Sequence, residues 1–156
     1  MEIIRANSSH LSGINELLAQ VLMVHHEGRP DIFKGDTKKY TDEELLELLK
    51  DDNRPVFVAV DGSGRVLGYA FCIFQTHPNN NILTDIKTLY IDDLCVREGL
   101  RGQHLGTELY NYVIDFAKKS GCYNVTLNVW ALNGPAKAFY DHLGMTPQRY
   151  TMEQIL

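Results

Sequence analysis

Cysteine is scarce in this chain: Cys72, Cys95 and Cys122 are the only three among 156 residues, an odd number with no C-x-x-C pair. That usage excludes a disulfide framework and a thiolate zinc site and points to a reducing, cytoplasmic setting. Cys72 and Cys95 lie inside apolar runs and read as small core residues. Long apolar runs are missing too; none approaches the roughly 20 residues that a transmembrane helix needs, so no membrane partner is expected. Met1 to Ala6 lacks the basic-then-apolar order of a signal peptide. Positive charge is in deficit, with 15 Lys and Arg against 20 Asp and Glu and a net charge of −5. Nucleic acid is therefore not an expected partner, because its binding rests on a basic surface; a cationic partner or substrate is compatible. Neither G-x-G-x-x-G nor G-x-x-x-x-G-K-[ST] occurs, so the dinucleotide and P-loop readings lose ground. No metal is expected either: His25 and His26 are adjacent and diverge on a helix, where ligand pairs need i, i+4 spacing.

What is present suits one globular domain over residues 1–156, with 44% hydrophobic and 22% charged residues. Glu2 to Ala6 predicts a first strand. Ser8 or Ser9 then caps a helix with its apolar stripe at Leu11, Ile14, Leu17, Leu18, Val21 and Leu22. Val24 to Gly35 is expected to be irregular, with Pro30 and two glycines opposing helix. Thr41-Asp42-Glu43-Glu44 is a capping box, followed by Leu45, Leu46, Leu48 and Leu49. Pro55 to Val60 and Val66 to Phe74 are strands joined by an Asp61-Gly62-Ser63-Gly64 turn. The Tyr90–Val96 strand, the Glu108–Lys119 helix stopped at Gly121 and the Tyr123–Trp130 strand follow. Asn133-Gly134-Pro135 opens a last helix, and Met145 to Leu156 holds a final strand. The order β-α-α-β-β-β-α-β-α-β implies an α/β (α+β) fold with a mixed sheet and helices on both faces.

One stretch concentrates chemical potential. Tyr90-Ile91-Asp92-Asp93-Leu94-Cys95-Val96 is a strand interrupted by two acids, and Arg101-Gly102-Gln103-His104-Leu105-Gly106-Thr107 turns it into a helix. Free amides and the positive dipole end at such a helix start suit a phosphate group. By itself, Gly102-x-x-x-Gly106 is also compatible with a plain strand-to-helix turn.

The combination is more specific. Leu94-x-Val96, Arg101-Gly102-x-x-x-Gly106, a helix, Val125-x-Leu127-x-Val129 and Asn133-x-x-Ala136-x-x-Phe139-Tyr140-x-x-Leu143-Gly144 together resemble the GCN5-related N-acetyltransferase (GNAT) superfamily. The likeness is detailed from about Ile86 to Met145 and topological before that. It implies a mostly antiparallel sheet, acetyl-CoA as co-substrate with no metal, and direct acetyl transfer to an amine. It implies that Leu94, Cys95 and Val96 pair with the pantetheine arm, with Cys95 the expected oxyanion donor. Gly102, Gln103, His104, Leu105, Gly106 and Thr107 would hold the pyrophosphate beside Arg101. Asn133 would reach the CoA arm, a role compatible with a simple N-cap. Tyr140 matches the residue that protonates the departing thiolate; its competing reading is a core aromatic beside Phe139. Homodimerisation, through the C-terminal strand, is a further expectation of the resemblance.

Two positions depart from the family pattern. His104 stands where the phosphate turn usually has glycine, and it either contacts a phosphate or faces solvent. Asn128 occupies the place where ribosomal-protein alanine acetyltransferases carry a Glu, and it cannot take a proton. The nearest alternatives for the base are Asp92 and Asp93, which face opposite ways on a regular strand unless a bulge shifts them; Asp93 is favoured, as base through a water or as anchor for a cationic amine, and the competing reading is a pair of ordinary solvated strand-end acids. The expected acceptor is a small cationic amine, with a protein N-terminus or lysine as alternative and a non-catalytic acyl-CoA module as a third reading. His25 to Tyr40 and His77 to Asp85 are the expected acceptor-cleft segments.

Overall fold

Five strands and four helices build the computed structural model, which describes residues 1–156. In chain order they are β1 (Glu2–Arg5), α1 (Leu11–Gly28), α2 (Asp42–Leu49), β2 (Val56–Val60), β3 (Val66–Gln75), β4 (Thr88–Val96), α3 (Leu105–Lys119), β5 (Asn124–Leu127) and α4 (Gly134–His142). The strands lie side by side in sequence order. The first four strands pair antiparallel, each with the next, and only β4–β5 is parallel; this is the mixed sheet expected from the element order and the mostly antiparallel one that the resemblance implies.

Strand alternation splits the core into two layers. Val56, Val58, Tyr69, Phe71 and Cys95 face α1 and α2, where they meet Ile14, Leu17, Leu18, Leu45, Leu48 and Leu49. Phe57, Ala70, Cys72, Leu89 and Ile91 face the other way, onto Tyr110, Val113 and Ala117 of α3. The buried stripe of α3 runs Leu105, Leu109, Val113, Ala117 at four-residue spacing, and each buried leucine contributes about 1.5–3 kcal/mol. At Gly68 a Cβ would lie 2.8 Å from the Cys95 carbonyl and 2.9 Å from Leu109; its absence lets α3 rest directly on the sheet.

Several local expectations are corrected. Asn7, rather than Ser8 or Ser9, caps the first helical turn, its Oδ1 accepting from the Ser9 amide at 2.9 Å. Thr41 bears out its half of the expected capping box, accepting from the Glu44 amide at 3.1 Å. Helix α1 continues to Gly28 instead of stopping near Leu22, because its last turn gains tertiary partners: Phe33 stacks on His25 with centroids 4.8 Å apart, and Leu132 covers Gly28. Strand β5 ends at Leu127, short of Trp130. Residues 145–156 form no strand.

Candidate active site

The site begins with one extra residue in β4. Phe71 pairs with Asp93 and Cys72 with Ile91, so Asp92 is a bulge. A bulge bends its strand and ends regular pairing; here the parallel ladder to β5 stops at Ile91↔Leu127. From Asp92 to Val96, β4 keeps β3 on one side and has an open edge on the other.

Which amides line that edge follows from the ladder. The Arg97 amide donates to the Leu67 carbonyl at 2.8 Å, and alternate residues of an antiparallel strand address the same neighbour. Asp93 and Cys95 therefore bond into β3, while Leu94 and Val96 turn toward the gap. The expectation for Cys95 is corrected accordingly: the open-edge donors are Leu94 and Val96. Cys95 instead buries its thiol against α1, where burial, chiefly, pushes it up to about 12, and a thiol held protonated is no nucleophile. Gln20 of α1 fixes the strand exit, donating to the Val96 carbonyl at 3.0 Å and accepting from the Glu98 amide at 2.9 Å.

Asp93 lies beside the gap on the α1 side. Burial raises its carboxyl above the ordinary range, opposed by a hydrogen bond from Tyr69 and by the charge of Lys39. The Tyr69 hydroxyl donates to Asp93 Oδ2 at 2.6 Å. Because of the bulge, Asp92 reaches the same region and holds Lys39 Nζ at 3.1 Å. Burial works against the charge of Lys39, but Asp93, Tyr40 and Asp92 outweigh it and raise the ammonium. His25 is lowered, by burial first and against the pull of Asp93, so its ring is neutral at pH 7. An aromatic wall continues from it, with Phe33 stacked on His25 and Trp130 edge-on to Phe33 at 5.1 Å.

Tyr140 enters from α4 on the α3 side. Its ring lies 5.0 Å from Phe139 and 6.3 Å from Tyr110, centroid to centroid. Burial first, and the nearby Asp93 charge next, raise its hydroxyl well above an ordinary phenol. The group stays protonated through the neutral range and retains a proton to donate. It is also packed against core residues, so the aromatic and donor readings coexist.

Beyond Val96 the chain makes a glycine-rich turn. Gly99 and Gly102 have φ of +86° and +85°, and His104 has +63°. His104 thus keeps the left-handed backbone of the glycine it replaces, one that side chains rarely adopt. It is the N-cap of α3 yet offers no side-chain cap, so the first amides of the helix, from Leu105 to Thr107, have no side chain closing them off. Nothing lies within 4 Å of where a Gly102 Cβ would sit, whereas one at Gly106 would lie 3.2 Å from Phe139. Arg97 is committed elsewhere, to Glu16 and the Val66 carbonyl. Arg101 and Gln103 are exposed beside the uncapped amides. Asn133 caps α4, accepting from the Ala136 amide at 3.2 Å. Asn128 donates to the Tyr90 hydroxyl at 3.2 Å.

An open strand edge leading to an uncapped helix start fits an extended pantetheine arm ending in a pyrophosphate. Side chains missed from sequence are Tyr69, Lys39 and Gln20. Tyr69 sits in an unbroken apolar run and carries no local signal of chemistry. Gln20 meets Val96 only through the fold. No three His, Cys, Asp or Glu side chains converge as metal ligands, and no helix is long and apolar enough to cross a membrane.

Residues 21–145 match the sequence model described as the acetyltransferase (GNAT) family. The chain is similar to streptothricin acetyltransferase of Streptomyces lavendulae, at 32% identity over 95 residues, 61% of this chain and 46% of that protein. Glucosamine 6-phosphate N-acetyltransferase of Arabidopsis thaliana is 32% identical over 68 residues, 44% of each chain. The chain thus matches less than half the length of either curated relative. A mutant form of the BH1408 protein from Bacillus halodurans superposes with a TM-score of 0.95 at 30% identity, over 100% of this chain and 99% of that one.

Proposed function

The chain belongs to the acetyltransferase (GNAT) family, and on that premise we propose that it transfers the acetyl group of acetyl-CoA directly to the primary amine of a small cationic acceptor, as one acyl-CoA N-acyltransferase domain over residues 1–156. Acetyl-CoA supplies the activated thioester. Leu94 and Val96 amides on the open edge orient it and donate to its carbonyl oxygen. The amides from Gly102 to Thr107 receive the pyrophosphate, with Arg101 as the adjacent positive charge.

The observation that carries this reading is the open edge of β4 after the Asp92 bulge, which leads to the uncapped start of α3. An ammonium with a pKa near 10.4 is free amine only about one part in a thousand at neutral pH. Asp93, raised by burial, is a stronger base than an ordinary carboxylate and takes the acceptor proton, directly or through a water. Tyr140, held protonated, gives its proton to the departing sulfur. The His25–Phe33–Trp130 wall suits an organic cation through its aromatic faces. The three free thiols suit a cytoplasmic setting.

The test is thiol release from acetyl-CoA with a panel of small amines, N-terminal peptides and lysine peptides. Turnover with small amines, lost in Asp93→Asn with CoA binding intact, is the expected result. Preference for peptides would move the acceptor to proteins, and tight CoA binding without turnover on any acceptor would overturn the enzymatic reading.

A further inference from the structure

Lys39 stands at the acid pair without a task in the transfer chemistry. It lies in the connection between α1 and α2, and the chain on its C-terminal side is pinned to the core. Tyr40 stacks on Phe71 with centroids 6.1 Å apart and planes 15° from parallel, and Phe71 is the residue that pairs with Asp93 in the ladder. Thr41 then caps α2. Lys39 lies over the Tyr40 ring, its Nζ 5.5 Å from the centroid, and ends on Asp92 Oδ2 at 3.1 Å. Its neighbour Lys38 instead runs along the surface to Asp42 at 3.7 Å.

A partly exposed ion pair adds little to stability. The consequence of this one lies in the charge of the site. The groups facing Asp93 are Tyr69 from β3, Tyr140 from α4, His25 from α1, Lys39, and Asp92 and Cys95 of its own strand. At neutral pH the two tyrosines and the thiol keep their protons, and His25 is neutral. Two carboxylates and one ammonium then remain as the charged groups. The bulge matters here, because on a regular strand Asp92 would point away and leave Lys39 without it.

We propose that Lys39 is a specificity-determining residue of the acceptor site: by cancelling Asp92 it leaves Asp93 as the single negative charge, so that the site takes amines carrying one positive charge near the reacting nitrogen and turns away short diamines. The selection rests on the proposed transfer chemistry. The ammonium of a monoamine meets Asp93 and gives up its proton there. A second ammonium two or three carbons away finds no free carboxylate. It faces the Lys39 ammonium instead, like charge against like, at a range where water and salt screen only in part.

The test is acetylation at pH 7 of propylamine and of the propane diamine with an amine at each end, by the native protein and by Lys39→Met and Lys39→Arg. Methionine keeps the unbranched stem and removes the charge; circular dichroism checks the fold. The native protein should show the lower KM for propylamine. In Lys39→Met the ratio of the two KM values should move about tenfold toward the diamine, with the ratio of the two kcat values unchanged, and Lys39→Arg should keep the native preference. A second readout needs no acceptor. The side-chain carboxyl carbon of Asp93, assigned by its loss in Asp93→Asn, is titrated by NMR; its midpoint should rise by about one pH unit in Lys39→Met and stay in place in Lys39→Arg. Turnover without the expected preference, a KM ratio unmoved in Lys39→Met, or an Asp93 midpoint indifferent to the loss of the charge overturns the inference alone. No acetylation of any amine by the native protein overturns the transfer reading and this inference with it.

Discussion

Replacing Tyr69 by Phe removes one hydroxyl and leaves the rest of a fully buried ring in place, including its edge contact with Phe71 at 4.9 Å. The lost atom is the donor held 2.6 Å from Asp93. A hydrogen bond to a charged group is worth about 1.5–3 kcal/mol, and here it acts mainly on the ionised carboxylate. At 1.36 kcal/mol per pH unit, the acid limb of kcat/KM, which reports the free enzyme's base, should move up by about one to two pH units. Stability gives a second readout with a definite sign. The carboxyl of Asp93 is raised on folding, chiefly by burial, so the native state holds the proton more tightly. Stability from this group is full below the ordinary carboxylate range and is lost as pH rises through the raised value. Tyr69→Phe raises that value further and deepens the loss, so urea unfolding should separate the two proteins more at pH 7 than at pH 4. An acid limb that stays in place, or an equal stability loss at both pH values, would refute the assignment of Tyr69 to tuning Asp93.

Three further outcomes follow from the same geometry. Tyr140→Phe should lower kcat about tenfold or more with CoA affinity nearly unchanged, read from steady-state kinetics and calorimetric titration; an unchanged kcat with chemistry rate-limiting would remove it from the donor role. His104→Val should cost about 1–3 kcal/mol in thermal or urea unfolding, because a β-branched residue is forced to the φ of +63°, whereas His104→Gly should be tolerated. Gly68→Ala should cost about 1–3 kcal/mol in urea unfolding, since the added methyl meets the Cys95 carbonyl at 2.8 Å, an atom fixed in the sheet.

Much of the candidate site was legible in the chain because the turn, the helix start and the last helix are local in sequence. Free amides at Leu105–Thr107, the Asn133 cap and the position of Tyr140 depend on residue order over short distances, and order is what a sequence displays. The acidic pair was visible for the same reason, but its geometry was not. Helix α1 was legible in its stripe and misread in its length, as the packing of Phe33 and Leu132 extends it through His25 and Gly28.

Sequence alone determined the mixed sheet with helices on both faces, through the order of its elements, and it marked His104 as standing where the phosphate turn usually has glycine. By putting Asn at 128 it also removed the acid that one subfamily carries there and left Asp92 and Asp93 as the nearest alternatives. Only the tertiary structure decided the rest. The bulge at Asp92 is a property of two paired strands, and it both opens the edge at Leu94 and Val96 and turns the two acids toward Lys39. Tyr69, 24 residues from Asp93, becomes its hydrogen-bond donor because antiparallel pairing sets it opposite Cys95. The segment from Met145 to Leu156 reads as a strand in sequence and is none in the fold, since a strand exists only where a second edge meets its backbone.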